Sequence, residues 1–382
     1  MMKSLLRVLS AGMLVTVAGL SGLALAEDAV ETRVSLKNGH PQVYYVKQGD
    51  TLWDISTQFL QSPWQWPELW HVNEEIDNPH LIYPGDVIKL VFVDGQPQLQ
   101  LQRNGDRAVA GQQETQPTVK LKTDGSVVRL SPEIRSVPLE QAVPAIPLSS
   151  VQHFLREALV VTRQDVADAP YIVSGSDNRV VFGAGDDIYA VDPVIKWEDM
   201  ASSYGVYRVG HVYIDPQTKE TLGIEALQIG TATTSDLSAG VGTLRVVNAT
   251  EDLRIKDRLL KGRKENIRST FFPSAPDVLI DARAIRFFDR LHGIARNDVL
   301  VINKGRRDGL REGHVLEALT SGSVVKDPLT EGTIKLPDVT SGTVVLFRVF
   351  EKVSYGLVVE ATRPIKIGDR LTNPAGSLPQ NM

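Results

Sequence analysis

The stretch Val43-Tyr44-Tyr45-Val46-Lys47-Gln48-Gly49-Asp50-Thr51-Leu52-Trp53-Asp54-Ile55 changes periodicity at its centre. Its first four residues are β-prone and Gly49-Asp50 punctuates them as a turn. Thr51 then suits a helix cap, with Asp54 three residues on to return the bond. Leu52, Ile55 and Phe59 recur at helical spacing, so one face of that helix is apolar. Pro63 closes it, and Pro67 suits the first position of a second helix that turns Leu69 and Val72 inward. Tyr83-Pro84-Gly85-Asp86 places Pro and Gly where a type II turn wants them, and Val87-Ile88-Lys89-Leu90-Val91 follows as a strand. Residues 42–93 therefore predict a small α+β module of strand, helix, helix and strand (βααβ).

The residues Gly49-Asp50-Thr51-Leu52, the medial Asn73 and the terminal Leu81-Ile82-Tyr83-Pro84-Gly85-Asp86 occur in the order and at the spacing of the LysM family, which this module resembles. The segment Pro63-Trp64-Gln65-Trp66-Pro67-Glu68-Leu69-Trp70 makes it longer than the commonest form. The resemblance implies binding of the N-acetylglucosamine of peptidoglycan or chitin in a shallow groove between two loops. Carried over by position, the glycan-binding residues are Gly49, Asp50, Thr51, Leu52, Asn78, Pro79, His80, Leu81 and Ile82. Backbone amides there would hydrogen-bond the acetamide, while Leu81 or Ile82 meets its methyl and ring faces. Asn73 and His80 read as loop-fixing residues, since no carboxylate–His or metal spacing surrounds His80. Trp53, Trp64, Trp66 and Trp70 lie close together and serve either as core or as sugar-stacking faces, with core or rim packing favoured for Trp53.

Upstream of the module, Lys3 and Arg7 precede an apolar run from Val8 to Leu25, and Ala24-Leu25-Ala26 is a small-x-small site before Glu27-Asp28. Residues 1–26 read as a cleaved secretory signal peptide, with a single membrane span as the competing reading. Export to the periplasm, in association with the cell wall, is the expectation. Asn248-Ala249-Thr250 fits a glycosylation pattern and reads as chance.

Downstream, residues 94–117 are rich in Gln and Gly and read as a linker. Residues 118–171 read as a connecting region: β-like at Val119 to Leu130, extended through the prolines of Pro138 to Pro147, then a short helix from Val151 to Leu159 capped by Ser149. Beyond it lies an internal repeat. Residues 246–259 and 358–371 align without gaps, with eight of 14 positions identical at an offset of 112. Asp215-Pro216 and Gly230-Thr231 find partners at the same offset, whereas Gly185-Asp186-Asp187-Ile188-Tyr189-Ala190 pairs with Gly313 to Ala318 at 128, which implies a 16-residue insertion in the first copy. Short β-branched runs between Gly, Asp and Pro make each copy a small β-barrel-like unit. The expected organisation is a mainly-β region with two duplicated units, 172–260 and 300–371, joined by a connector over 261–299 and followed by a tail, 372–382. The cations from Arg254 to Arg268 read as a solvated surface, or as one facing an acidic partner or phosphate. Asp257-Arg258 and Asp369-Arg370 read as local turn contacts.

The segment from Asn303 to Leu316 resembles the C-terminal β domain of the flagellar assembly protein T family, and the whole arrangement resembles the type IV pilus secretin-associated family. That implies a periplasmic protein holding an outer-membrane secretin, or another envelope ring protein, to the wall in multiple copies.

Composition narrows the chemistry. With 382 residues and 42% hydrophobic content the chain has enough material for more than one packed domain. The absence of cysteine excludes thiol nucleophiles, disulfides and cysteine-ligated metals. A formal net charge of −5 argues against nucleic acid as a partner. The seven histidines (40, 71, 80, 153, 211, 292, 314) show no His-x-His or His-x-x-x-His spacing, and no Gly-x-Ser-x-Gly elbow occurs. The reading is a non-catalytic wall anchor with no cofactor and no metal. A hydrolase needing only two carboxylates, or a flagellar or other envelope scaffold built from the same parts, stays open as the alternative.

Overall fold

A computed structural model of the chain describes residues 34–70, 82–93, 95–102, 144–147, 151, 154, 158–176, 179–194, 203–238, 240–261, 272–288, 293–329 and 332–377. The expected signal peptide, and the β-like run from Val119 to Leu130, lie outside these.

The first strand, β1 (Val43–Tyr45), is followed by a turn in which Gly49 adopts φ +88, a left-handed conformation that costs glycine nothing. Helix α1 (Leu52–Phe59) starts on a capping box. The Thr51 hydroxyl accepts from the Asp54 amide, and the Asp54 carboxylate accepts from the Thr51 amide. A single 3-10 turn, Pro63–Gln65, leads into α2 (Trp66–Trp70). Before β2 (Val87–Val93), Gly85 at φ +96 and an Asp86 amide donating to the Tyr83 carbonyl form the turn the sequence predicts. β2 pairs antiparallel with β1, so the βααβ order holds. Leu52, Ile55, Phe59, Leu69, Ile82 and Ile88 share one buried cluster.

A third strand, β3 (Gln96–Gln102), completes this sheet on the far side of β2, with Leu99 opposite Leu90. It lies inside the stretch read as linker. Its glutamines mask an alternation in which Leu99 and Leu101 point to one face, and that face packs into the module's core.

The next region contains β4 (Ala158–Val161), helix α3 (Arg163–Asp168), β5 (Tyr171–Gly175), β6 (Val181–Phe182), β7 (Asp187–Val191), β8 (Ser203–Ile214), β9 (Thr221–Ser238), β10 (Val241–Ala249), β11 (Leu253–Arg254) and β12 (Arg258–Lys261). Val151 and Phe154 are helical as expected, but that helix does not reach Leu159. Ala158 opens β4, because Leu159-Val160-Val161 is a β-prone run that pairs with β9. The order β10-β7-β5-β12-β8-β9 returns on itself through an added β10–β9 pairing, and β4 lies outside on β9.

The last region contains β13 (Ala282–Phe287), β14 (Val299–Ile302), β15 (Val315–Thr320), β16 (Val324–Lys326), β17 (Thr333–Lys335), β18 (Val339–Val349), β19 (Ser354–Ala361) and β20 (Arg370–Thr372). Strands β13-β14-β19-β18-β15-β20 close a six-stranded barrel, and β16 and β17 pair with each other. The barrel starts earlier than residue 300, since β13 sits within the stretch read as connector. Two alanines hold core positions in it, Ala282 and Ala284, and they give little apolar signal. Asn373 belongs to the packed structure rather than to a tail. Its side chain donates to the Pro276 and Val278 carbonyls and accepts from the Ile280 amide.

Backbone bonding recurs between the two β regions at 112 residues. The Arg254 amide donates to Asp257 and the Lys366 amide to Asp369, as local turn contacts. The Val246 amide donates to the Asp186 carbonyl and the Val358 amide to the Asp298 carbonyl. Asp186 and Asp298, which accept these two bonds, lie 112 residues apart and not 128. Gly185 and Asn297, one residue earlier, both take positive φ, at +90 and +71.

The barrel's interior holds Leu300, Ile302, Leu316, Val344, Leu346 and Val358. Its outer face is apolar too: Val345, Phe347, Tyr355, Leu357 and Val359 are buried under Trp53, Trp64, Ile146, Val151, Phe154, Tyr213 and Leu222. A strand that is apolar on both faces must be covered on both. The residues 112 positions earlier are Thr233, Ser235, Thr243, Arg245 and Val247, and none of them is fully buried. The contact between the two β regions has polar bonds at its rim, around Glu220, and one buried polar bond, between Asn303 and Asp215. Arg307 makes a two-point bond to Glu220 at 2.9 and 2.8 Å, Lys352 reaches the same carboxylate at 2.7 Å, and Asn303 donates to Asp215 at 2.8 Å.

Candidate glycan-binding site

The first groove loop is built by the turn that precedes α1. Gly49 is exposed at its tip. The Asp50 carboxylate accepts from the Lys47 amide at 2.9 Å and from the Tyr44 hydroxyl at 3.0 Å, so it ties the loop to β1 instead of standing free. Burial and then the Asp50 bond push the Tyr44 phenol up to about 12. Thr51 and Leu52 are buried; the hydroxyl of the first donates to Asp54 at 2.7 Å, and the side chain of the second is core. The main-chain amides of this loop are engaged as well: that of Asp50 donates to the Lys47 carbonyl, that of Thr51 to Asp54 and that of Leu52 to the Pro144 carbonyl.

Ile82, from the second loop, is fully buried in the module's core and faces no solvent. Asn78, Pro79, His80 and Leu81 lie outside the described residues, as do Asn73 and the side chain of Trp70. Among the nine candidates the structure therefore brings Leu52 and Ile82 into one cluster and leaves Gly49 and Asp50 on the loop's outer side.

The tryptophans resolve toward packing. Trp53 and Trp64 are buried against the outer face of the barrel, and Trp66 is buried with its ring centroid 5.9 Å from that of Phe272. The Trp53 Nε1 has no hydrogen-bond partner among the described residues. Two contacts at this edge of the module were missed in the sequence. Asp54, besides its capping role, forms an ion pair with Arg296. The Leu52 and Trp53 amides donate to the Pro144 and Ala145 carbonyls. The prolines around Pro144 signalled an extended segment but not where it goes.

The carboxylates of Asp50 and Asp54 are committed to the turn and to the helix cap. No group of three or more His, Cys, Asp or Glu residues stands together as a metal site among the described residues. No helix among them is long and apolar enough to cross a membrane.

Residues 44–91 match the LysM domain. LysM domains bind peptidoglycan N-acetylglucosamine, so the module's class is carbohydrate binding and its setting is the cell wall. Among curated proteins, "Uncharacterized protein YqbP" of Bacillus subtilis (strain 168) is 37% identical over 60 residues, which is 13% of this chain and 27% of that protein. The chain thus matches about a quarter of that relative's length.

Proposed function

We propose that this chain is an exported, non-catalytic wall anchor. Its LysM domain holds N-acetylglucosamine units of peptidoglycan, and its β regions present the surface for an envelope machine. The observation that carries the reading is the LysM match over 44–91 on a βααβ module whose cap and closing turn are both formed. The finer assignment of the partner is the secretin ring of type IV pili, and it rests on the resemblance of the segment from Asn303 to Leu316 and of the whole arrangement. One groove of this kind binds weakly: micromolar to millimolar affinity is only about 4–8 kcal/mol. Copies held around a ring make further attachments intramolecular, which is how a weak module becomes an anchor. The shared strand order and turn bonding support one barrel unit used twice.

Affinity capture of the full chain from a crosslinked bacterial envelope tests this. Wall fragments recovered together with a pilus secretin are the expected result. Wall fragments without a ring protein would remove the secretin and leave wall binding. Recovery without wall fragments contradicts the anchor.

A further inference from the structure

One edge of the LysM groove is already bonded within the chain. The Leu52 amide donates to the Pro144 carbonyl at 2.9 Å, and the Trp53 amide donates to the Ala145 carbonyl at 3.4 Å. These are the first two amides of α1, and amides at that position have no carbonyl partner inside their own helix. Ala145 is 3% exposed and joins the buried cluster that contains Leu52 and Ile82. Ile146 is 2% exposed and joins the cluster of Trp53, Trp64 and the barrel's outer face. Pro144 and Pro147 bracket the contact, and a proline brings a carbonyl without an N–H that would need a partner of its own.

An N-acetyl group presents a carbonyl acceptor beside a small methyl. The Pro144–Ala145 peptide unit presents the same two features, with its carbonyl on the Leu52 amide and the Ala145 methyl in the apolar cluster. A close-packed site has no room for a second methyl, and an amide already donating at 2.9 Å has no second proton to give. A sugar that takes the Leu52 edge has to displace this segment.

We propose that residues 144–147 are an internal occupant of the LysM groove, competing with N-acetylglucosamine and holding the domain in a low-affinity state until they leave. The inference rests on the wall-binding reading of the domain. An occupant seated in nine molecules of ten lowers the apparent affinity about tenfold, because only the open fraction binds.

The test is a calorimetric titration of the full chain with the N-acetylglucosamine pentamer, wild type beside Ala145→Glu, which puts a charge where the methyl is buried. Ala145→Glu is expected to bind about tenfold more tightly. In the wild type, methyl resonances of Ala145 and Ile146 are expected to move to solvent-exposed positions as the pentamer saturates. Equal affinities with those resonances unmoved at saturation overturn the occupant and leave wall binding intact. Absence of binding by both proteins overturns the occupant together with the wall-binding reading. Should Ala145→Glu fail to fold, the wild-type methyl resonances decide alone: movement supports the occupant, and saturation without movement rejects it.

Discussion

Asp50 shows how a residue shared with a binding family can serve the backbone first. Its carboxylate accepts from the Lys47 amide and the Tyr44 hydroxyl, and both bonds shape the loop that carries the Leu52 amide. Asp50→Ala is expected to cost about 1–3 kcal/mol of stability, since it leaves two donors without their acceptor. It is also expected to bring the Tyr44 phenol down from about 12, leaving the parts due to burial and to the Asp54 charge. Denaturant unfolding and an ultraviolet titration of the phenol check the two effects. Any loss of glycan binding in this variant has to be read beside its loss of fold. Trp53 is informative in the other direction. Its ring is buried between module and barrel, while its Nε1 has no hydrogen-bond partner among the described residues. Trp53→Ala is expected to cost about 3–5 kcal/mol through the cavity it leaves. Trp53→Phe should cost clearly less, because the ring that fills the site largely remains and the unbonded N–H is removed. Equal unfolding midpoints for the two variants would contradict the packing role.

At the scale of elements, α1 was legible because its start is local chemistry. Thr51 and Asp54 form the cap that their spacing predicts, and Leu52, Ile55 and Phe59 face inward. The expected glycan loops rest on position alone, because their residues carry no side-chain pattern of their own that marks a sugar site. β3 was hidden because glutamine dominates its composition and only the Leu99 and Leu101 alternation marks it. β13 was hidden because two of its three buried positions, Ala282 and Ala284, are alanines, leaving Phe287 as the one large apolar residue among them. The contact of Leu52 and Trp53 with Pro144 and Ala145 joins residues about 90 positions apart through carbonyls, which any sequence could supply. The hairpin between β8 and β9 carries an acid-sensitive contact. Hydrogen bonds from Arg307 and then Lys352 hold the Glu220 carboxyl down at about 2, against an ordinary value of 4.5. A carboxyl depressed in the folded state adds stability that is complete above about 4.5 and is lost as pH falls toward about 2. Glu220→Gln is therefore expected to flatten the pH dependence of unfolding in that window and to leave it unchanged above pH 6. An unaltered acid limb would show that the contact contributes nothing to coupling the two β regions.

For the molecule as a whole, the LysM domain is not a bead on a free tether. Trp53 and Trp64 lie on the barrel face formed by Val345, Phe347, Tyr355 and Leu357, and Asp54 pairs with Arg296. The sequence held a clue: β18 and β19 are apolar on both faces, while the residues 112 positions earlier are mostly polar on the corresponding face. Removing residues 34–102 is expected to expose that face and make the remainder bind a hydrophobic dye and self-associate, as large exposed apolar patches do. A monomeric, dye-silent product would contradict the shared cluster. Comparisons of wall binding are for this reason best made on the intact chain.

The central claim is that the LysM domain of this chain holds peptidoglycan through N-acetylglucosamine. Co-sedimentation of the full chain with purified sacculi, with and without excess N-acetylglucosamine pentamer, tests it most directly. The account predicts saturable pelleting in the micromolar to millimolar range that the pentamer releases. Failure to pellet, or pelleting that the pentamer leaves unchanged, would contradict it.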